Sequence, residues 1–325
     1  MSRKKIILIA TGGTIASTGR AKGGDLNATL KGEDLIHRIS DFTKTGLDLE
    51  VINFSTINST SITPVMMVDL AKKVQELLDF PETVGLVVTH GTSLMEETAF
   101  VLDTLIESDK PVVMTGSQLN ASHPWSDGTT NLNDALFVAA SPASRGVGVV
   151  VVFCGKIHEG RAALKKDTAA LNAFTSGEIG LLGRVHYNQV FYNRPRVRKT
   201  LPIKSFTFCS VAIIPFYSGA DERYIKAAVE FGEKGIIVEG VGLGNVNSEF
   251  FHGIKIACDA GCQVIITTRS PYGRLLPIYA YKGGGVSLVK AGVLFSSLPS
   301  PKARLLLMLA LGGGYSVDSI TELLN

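Results

Sequence analysis

Uninterrupted apolar runs alternate along this chain with loops rich in glycine and hydroxyl residues. The first run, residues 6–10, is followed at once by Thr11, Gly12, Gly13 and Thr14. A run without polar residues is typical of a strand buried on both faces, as in a parallel sheet. Similar runs that end in polar loops occupy residues 86–88, 112–114 and 148–153, and helical spacing occurs at 33–40, 66–79, 95–107 and 131–140.

The second half of the chain repeats this alternation on a smaller scale. Strands are predicted at 211–215, 235–238 and 264–268, and helices at 223–233, 248–261 and 303–311. Residues 193–210 contain two prolines, several basic residues and little periodicity, which is typical of a linker. The sequence therefore predicts an α/β fold of two wound domains, with a larger N-terminal parallel-sheet domain at 1–192 and a smaller C-terminal α/β domain at 211–325.

Composition and charge exclude several classes of partner. The chain has 325 residues, of which 45% are hydrophobic, which is enough for two cores, and its net charge of +3 is too small to indicate a nucleic-acid partner. No apolar run approaches the roughly 20 residues of a membrane span, and the basic N-terminal residues lead directly into the first strand. We therefore expect a cytoplasmic protein without a nucleic-acid or membrane partner. The basic run at 194–199 suits an exposed connector better than an anion-binding patch.

Motifs for cofactors and metals are weak. The glycines at 240–244 have the spacing Gly-x-Gly-x-Gly, whereas the dinucleotide fingerprint is Gly-x-Gly-x-x-Gly, and the chain has no Gly-Lys-Ser/Thr phosphate loop. The four cysteines form no Cys-x-x-Cys pair and are expected to be free thiols, and the six histidines are scattered. We therefore expect neither a cofactor nor a metal.

Hydroxyl and amine side chains follow the predicted strands, where open α/β sheets bind ligands. If the strands are parallel neighbours, Thr14, Thr92, Ser117 and Lys165 gather at one edge of the sheet. A threonine is a weak nucleophile until a base activates it, and burial lowers the pKa of a lysine so that it can be that base. With backbone N–H groups beside glycines to hold an oxyanion, this set suffices for acyl transfer without a metal. Taken singly, each of these residues is explained better without catalysis, Thr14 as a helix cap, Lys165 as a solvated lysine and Ser117 as a turn residue.

The segments around Thr14 and Thr92, residues 10–16 and 89–98, resemble the two signatures of the bacterial-type L-asparaginases. Further similar segments follow in order and at the family's spacing, at 110–116, 126–132, 159–165, 242–245 and 302–304. The resemblance therefore extends from the first strand to the C terminus. It implies an amidohydrolase that acts on a small-molecule amide as a homodimer or homotetramer.

The resemblance also implies roles for individual residues. Thr14 matches the threonine that attacks the side-chain amide carbon, Thr92 matches the second essential threonine, and Lys165 matches the lysine that activates it. Ser59 matches the serine that contacts the substrate α-carboxylate, although by itself it also fits a turn, and Asn245 matches a residue that reaches a neighbouring subunit's site. The other members of the implied substrate-binding set are Gly13, Thr60, Gly91, Ser93 and Ser117.

The departures from the family pattern concern recognition of the substrate. Ser93 stands where the family normally has an aspartate that pairs with the substrate's α-ammonium and steadies the lysine. Residues 17–31 contain no tyrosine, although type II asparaginases have one there, and Asp25 is the nearest stand-in. Thr60 replaces a glutamine or serine of the family. The amide-cleaving residues are therefore kept, whereas those that recognise an α-amino acid are reduced.

These observations leave three hypotheses for the function. The first is hydrolysis of the side-chain amide of L-asparagine or a related small amide, with release of ammonia. The second is an amidase for a small amide or lactam that lacks the usual α-ammonium. The third is a non-catalytic homologue that binds a small ligand, which the joint presence of Thr14, Thr92 and Lys165 disfavours because a binding protein has little need of all three.

Overall fold

The structure of the protein, a computed structural model, describes residues 3–18, 27–28, 32–36 and 42–324. The chain divides into two compact units, residues 1–203 and 204–325. The division falls within the segment 193–210 that the sequence predicts as a linker.

The first unit alternates strands and helices along most of its length. Its strands are β1 (Lys5–Gly12), β2 (Ser17–Thr18), β3 (Asn27–Ala28), β4 (Asp48–Ile57), β5 (Thr83–Thr89), β6 (Val112–Thr115), β7 (Val149–Phe153), β8 (Lys156–Glu159), β9 (Leu164–Lys165), β10 (Phe174–Thr175), β11 (Gly183–His186) and β12 (Gln189–Tyr192). Its α-helices are α1 (Gly32–Ile36), α2 (Pro64–Leu78), α3 (Met95–Leu105) and α4 (Gly128–Ala140).

Eight of these strands form one sheet in the order β12-β11-β8-β7-β6-β5-β1-β4. The five strands from β7 to β4 are parallel, which confirms the predicted wound α/β fold. At the other end, β8, β11 and β12 pair antiparallel, so the sheet is mixed. The sequence does not predict β4, because this strand lacks an uninterrupted apolar run and all of its residues are exposed or half-buried. That pattern follows from its place at the end of the sheet, where only one neighbour covers it.

The core of this unit lies on both faces of the parallel strands. Ile6 and Leu8 of β1 are fully buried and pack in one cluster with Leu132 and Leu136 of α4. Helix α2 packs against β5, and α3 packs against β7. Burial of each such aliphatic side chain contributes about 1.5–3 kcal/mol. Apolar runs without alternation are therefore the sequence form that this two-sided burial requires.

The helices predicted at 66–79, 95–107 and 131–140 are confirmed, with ends that differ by three residues at most. Helix α2 begins at Pro64, where the fixed φ of proline suits the first turn, and Thr63 caps it by accepting a hydrogen bond from the Met66 N–H at 3.3 Å. Of the helix predicted at 33–40, the structure describes residues 32–36, and the rest lies outside the described residues.

The basic run at 194–199 is only in part the exposed connector that its composition suggests, because Pro195, Val197 and Lys199 are exposed whereas its arginines are not. The side chains of Arg196 and Arg198 are only 5% and 12% exposed. Arg196 pairs with Asp103 of α3, and Arg194 pairs with Glu159 of β8 at 2.6 Å. The prediction is wrong for the arginines because the carboxylates of Asp103 and Glu159 are themselves buried, and a buried carboxylate needs a cationic or hydrogen-bonding partner.

The second unit is a smaller wound α/β structure. Its parallel sheet has the order β13 (Val211–Pro215), β14 (Gly235–Gly240), β15 (Gln263–Thr268) and β16 (Leu294–Phe295). Its helices are α5 (Arg223–Glu230), α6 (Ser248–Asp259), α7 (Gly285–Lys290), α8 (Ser300–Gly313) and α9 (Val317–Thr321). The three predicted strands and three predicted helices are confirmed, whereas β16, α7 and α9 were too short to be predicted from periodicity.

No helix among the described residues is long and apolar enough to cross a membrane. The four cysteines are free thiols, as predicted.

Candidate active site

The register of the parallel strands brings four polar loops to one edge of the large sheet. Ala10 of β1 pairs with Thr89 of β5, and Thr89 pairs with Thr115 of β6. On the other side of β1, Gly12 pairs with Ile57 of β4. Because parallel strands end on the same side, the loops that follow these four strands leave the sheet together.

Two glycines hold the first two of these loops in contact. Gly13 has a φ of +83°, and a methyl group built on it would lie 2.4 Å from the backbone nitrogen of Gly91. A methyl group on Gly91 would in turn lie 2.6 Å from the hydroxyl oxygen of Ser59. Only glycine permits so close an approach, because any Cβ would displace a neighbouring backbone or side chain. Thr14 and Thr92 each follow one of these glycines, so the loops that carry the two threonines touch.

Thr14 is half-buried and is the first residue of a short 3₁₀ helix, Thr14–Ala16. The cap position of that helix is Gly13, which has no side chain to donate or accept. Thr14 is therefore not a helix cap, and helix capping does not explain why a threonine stands at this edge of the sheet.

Thr92 and Lys165 form a direct contact with Gln118. The Lys165 Nζ donates to the Thr92 Oγ1 at 2.7 Å and to the Gln118 Oε1 at 3.2 Å. The Thr92 hydroxyl donates to the same Gln118 oxygen at 3.0 Å. Thr92 is buried and Lys165 is half-buried, so Lys165 is not the solvated surface lysine of the alternative interpretation.

The main chain of Lys165 is fixed from two sides. Its N–H donates to the carboxylate of Glu96 in the first turn of α3, and β9 pairs with β10, where Lys165 lies opposite Phe174. Burial lowers the pKa of the Lys165 ammonium, while the negative charges of Glu96 and Asp167 oppose that shift. A lowered pKa increases the neutral fraction of the amine, which is the form that accepts a proton.

The sequence reasoning missed Gln118. Its only signal is its place just after the polar end of the third predicted strand. Its backbone N–H and that of Leu119 donate to the Asp127 carboxylate at 3.0–3.1 Å, and Asn131 donates to the same carboxylate at 3.0 Å. These hydrogen bonds, which span nine, eight and four residues, connect the loop to the start of α4.

The buried side chain of His90 contacts the backbone of the loop after β5. It is 1% exposed, and burial lowers its pKa to about 4, so the ring is neutral at neutral pH. Its Nδ1 lies 2.8 Å from the Gly91 carbonyl oxygen, which can only accept, and its Nε2 lies 3.0 Å from the Thr98 hydroxyl. The single ring proton is thus assigned to Nδ1, and Thr98 donates to Nε2. His90 therefore holds Gly91 in position.

The other predicted site residues lie in different surroundings. Ser117 is 1% exposed, and its hydroxyl has no hydrogen-bond partner within the part of the chain that the structure describes. Thr60 and Ser93 are exposed. Asn245 belongs to the second unit, in the turn after β14, and Asp25 lies outside the described residues.

The chemistry of this arrangement is that of a hydroxyl group beside an amine. Among the described residues, the hydrogen bonds of Lys165 Nζ go to two neutral oxygens, so no carboxylate hydrogen-bonds its charge. No group of three or more His, Cys, Asp or Glu in the described ranges could hold a metal ion. Acyl transfer through a threonine, with lysine as the proton acceptor, is the reaction that these groups can perform.

Comparison with known proteins covers nearly the whole chain. Residues 5–198 match the family described as "Asparaginase, N-terminal", and residues 210–324 match the "Glutaminase/Asparaginase C-terminal domain". The chain is 33% identical to "L-asparaginase" of Bacillus licheniformis, over 95% of each chain. It is 32% identical to "L-asparaginase 2" of Escherichia coli strain K12, over 98% of this chain and 92% of that protein. It is 34% identical to "Probable L-asparaginase" of Deinococcus radiodurans, over 98% and 96% respectively.

Proposed function

This chain belongs to the asparaginase family, and we propose that it hydrolyses the side-chain amide of L-asparagine or a related small amide with Thr14 as the nucleophile. The observation that carries the proposal is the 2.7 Å contact between Lys165 Nζ and Thr92 Oγ1. Thr92 belongs to the loop that contains Gly91, and Gly91 contacts Gly13 in the loop of Thr14. Thr14 and the Thr92–Lys165 pair thus lie on adjoining loops at one edge of the sheet, which supports their proposed roles as nucleophile, second hydroxyl and amine base.

The first half of the proposed reaction transfers the acyl group to Thr14. The Thr14 oxygen attacks the amide carbon, its hydroxyl proton leaves with the departing nitrogen, and the C–N bond breaks. The products are an ester on Thr14 and one molecule of ammonia. The positive φ values at Gly12 and Gly13, +102° and +83°, produce the sharp turn that presents Thr14 at the end of β1.

The second half releases the acid. A neutral Lys165 takes a proton from a water molecule, either directly or through the Thr92 hydroxyl, which gives its proton to Lys165 and takes one from the water. The water oxygen then attacks the ester carbon. The bond between the ester carbon and the Thr14 oxygen breaks, the proton held by Lys165 passes to the Thr14 oxygen, and the carboxylic acid leaves with Lys165 neutral again. Burial of Lys165 supports this role, because it favours the neutral amine over the ammonium.

A specific observation favours a second substrate class. Ser93 carries no charge and is exposed, and the described hydrogen bonds of Lys165 Nζ end on neutral oxygens. A site of this kind offers no carboxylate at Ser93 to an α-ammonium, and loss of one partner of such a pair costs about 2–5 kcal/mol. The alternative substrate is therefore a small amide or lactam that lacks the amino group or carries it elsewhere.

Assembly and location complete the proposal. Asn245 resembles a residue that is lent to a neighbour's site, so we propose a homodimer or homotetramer as the active form. We also propose that the protein works in the cytoplasm, which fractionation against compartment markers tests.

The decisive experiment measures ammonia release from L-asparagine, D-asparagine, L-glutamine and succinamic acid. We expect turnover of at least one of these amides by the wild type and its loss in Thr14→Ala. Thr207→Ala, at an exposed position of the second unit, is the matched control and should retain wild-type turnover. Hydroxylamine added during turnover should yield a hydroxamate, because it competes with water for the ester. An active Thr14→Ala would overturn the assignment of the nucleophile, and binding of amides without ammonia release would favour the non-catalytic hypothesis.

A further inference from the structure

Gln118 contacts both functional groups of the Thr92–Lys165 pair. One oxygen, Oε1, accepts hydrogen bonds from the Thr92 hydroxyl at 3.0 Å and from the Lys165 amine at 3.2 Å. We propose that Gln118 is a positioning residue which determines, through this oxygen, how protons are distributed between Thr92 and Lys165. The inference rests on the proposed threonine–lysine chemistry and adds a residue to it.

The orientation of the Gln118 amide is fixed by its other end. Its Nε2 donates to the carbonyl oxygen of Ala170 at 3.1 Å and of Thr168 at 3.4 Å. Carbonyl oxygens only accept, so the NH₂ group must face them. A flipped amide would direct its N–H groups at the Lys165 ammonium and would leave both carbonyls facing an oxygen. Oε1 therefore faces Thr92 and Lys165.

The backbone of Gln118 is fixed as well. Its N–H donates to both oxygens of the Asp127 carboxylate at 3.1 Å, and Asn131 donates to the same carboxylate and to the Gly116 carbonyl, each at 3.0 Å. The residue is thus tied to helix α4 through its main chain and to residues 168–170 through its side chain. Such support from the surroundings keeps a site group within the narrow range of geometry that catalysis needs.

Proton positions in the pair follow from this geometry. When Lys165 is an ammonium, it donates to Thr92 and to Gln118, and the Thr92 proton points to Gln118. When Lys165 is neutral, its lone pair can accept the Thr92 proton, which must then turn away from Gln118. The Gln118 oxygen therefore stabilises the resting ammonium state, and it does so with a partial charge where a carboxylate would bring a full one.

The charged groups around Lys165 allow this effect to be measured. Glu96 of α3 and Asp167 of the segment after β9 act on the ammonium, and both raise the lysine pKa against the effect of burial. Gln118 and Thr92, which hydrogen-bond the amine directly, are uncharged. A change at Gln118 alone should therefore move the protonation of Lys165 while Glu96 and Asp167 stay in place.

The experiment compares two near-isosteric variants with opposite expected effects. Gln118→Glu brings a full negative charge to the ammonium, so the rising limb of kcat/KM against pH should move to higher pH. Gln118→Met removes the acceptor, so the limb should move to lower pH, with a reduced kcat because Thr92 is less well oriented. A displacement of one pH unit changes kcat/KM about tenfold on the acidic side of the limb. Gln189→Glu, which adds the same charge at an exposed position of β12, should leave the limb unmoved.

A second readout does not depend on activity. The pH dependence of Lys165 acylation by a trace amine reagent, quantified by mass spectrometry, reports when the amine becomes neutral. We expect it to shift in the same directions as the kinetic limb in the two variants. Identical labelling and kinetic profiles in wild type, Gln118→Glu and Gln118→Met would overturn the role of Gln118. An active Lys165→Met or Thr14→Ala would instead overturn the proposed function, so the two failures are distinguishable.

Discussion

Gly13 and Gly91 are in direct backbone contact, and a methyl group on Gly13 would lie 2.4 Å from the nitrogen of Gly91 and 2.5 Å from its Cα. These residues precede Thr14 and Thr92, and they belong to the loops after β1 and β5, which are neighbouring strands of the sheet. The distance between the two threonine loops is therefore set by the absence of side chains at two positions.

Gly13→Ala should abolish most activity. The new methyl group must displace Gly91, and a displacement of about 1 Å at a reacting group can cost on the order of 100-fold in rate. Gly180→Ala is the matched control, because Gly180 also has a positive φ, +75°, but open space around its Cβ position. Gly13 and Gly180 both combine a positive φ with an extended ψ, a region essentially restricted to glycine, so backbone strain should destabilise each alanine variant by about 1–3 kcal/mol, measurable by urea unfolding. Equal kcat values for the two variants would contradict the close-contact explanation.

Lys165→Ala should lower kcat by on the order of 1000-fold, the typical loss when one member of a catalytic unit is removed. Small primary amines added to this variant should restore part of the rate, and they should do so better at higher pH because the neutral amine is the active form. Lys166→Ala removes an exposed neighbouring lysine and should be neutral. Near-wild-type turnover in Lys165→Ala would exclude the lysine as the base.

Ser93→Asp should improve kcat/KM for L-asparagine relative to succinamic acid. The new carboxylate can pair with an α-ammonium, and recovery of 1.4 kcal/mol corresponds to about a tenfold gain. Ser93→Asn, which has the same shape without the charge, should not show this gain. The wild type could instead hydrolyse L-asparagine efficiently, with no increase in kcat/KM in Ser93→Asp. That result would mean that another acid pairs with the α-ammonium, and it would contradict the hypothesis of a substrate without one.

The stability of the protein should fall as the pH decreases from about 6.5 to 4. Burial lowers the pKa of His90 and His158 to about 4 in each case. The unfolded chain therefore binds more protons than the folded one within this window, so the free energy of unfolding decreases by up to about 1.4 kcal/mol per pH unit and histidine. Asp134, whose pKa burial raises to about 6, acts in the opposite direction.

This prediction is checked by measuring the free energy of unfolding in urea at pH 7 and at pH 5 and comparing the difference between the two values among variants. His158→Gln should lose less stability between the two pH values than the wild type does, even if it is less stable at pH 7. His186→Gln, at an exposed position of β11, should keep the wild-type loss. Equal losses in all three proteins would show that His158 is not held neutral in the folded state.

Asn245→Ala should reduce activity only through a neighbouring subunit. Asn245 is buried in the second unit, and its Oδ1 has no hydrogen-bond partner among the described residues. Refolding Asn245→Ala together with Lys165→Met should regain about a quarter of wild-type activity, because half of the dimers are mixed and one of their two sites is intact. A wild type that sediments as a fully active monomer, or a mixture without regained activity, would contradict the shared site.

Much of the fold and the loop positions of the site could be predicted from the sequence. Apolar runs without alternation identify β1, β5, β6 and β7 because two-sided burial leaves no place for polar residues. The parallel direction of these strands follows from the helices between them, and it places Thr14, Thr92 and Ser117 at one edge. The sequence also determined the charge balance of the two threonine loops, including the neutral Ser93.

Only the tertiary structure decided which side chains meet. Lys165 and Thr92 are separated by 73 positions, and Gln118 joins them from a third loop, so no local pattern reports their hydrogen bonds. The same holds for Arg196, which looks like part of an exposed basic run until Asp103 is placed against it from 93 positions away. Periodicity along a chain records which face is buried, whereas the partner of a buried polar group depends on how distant segments pack.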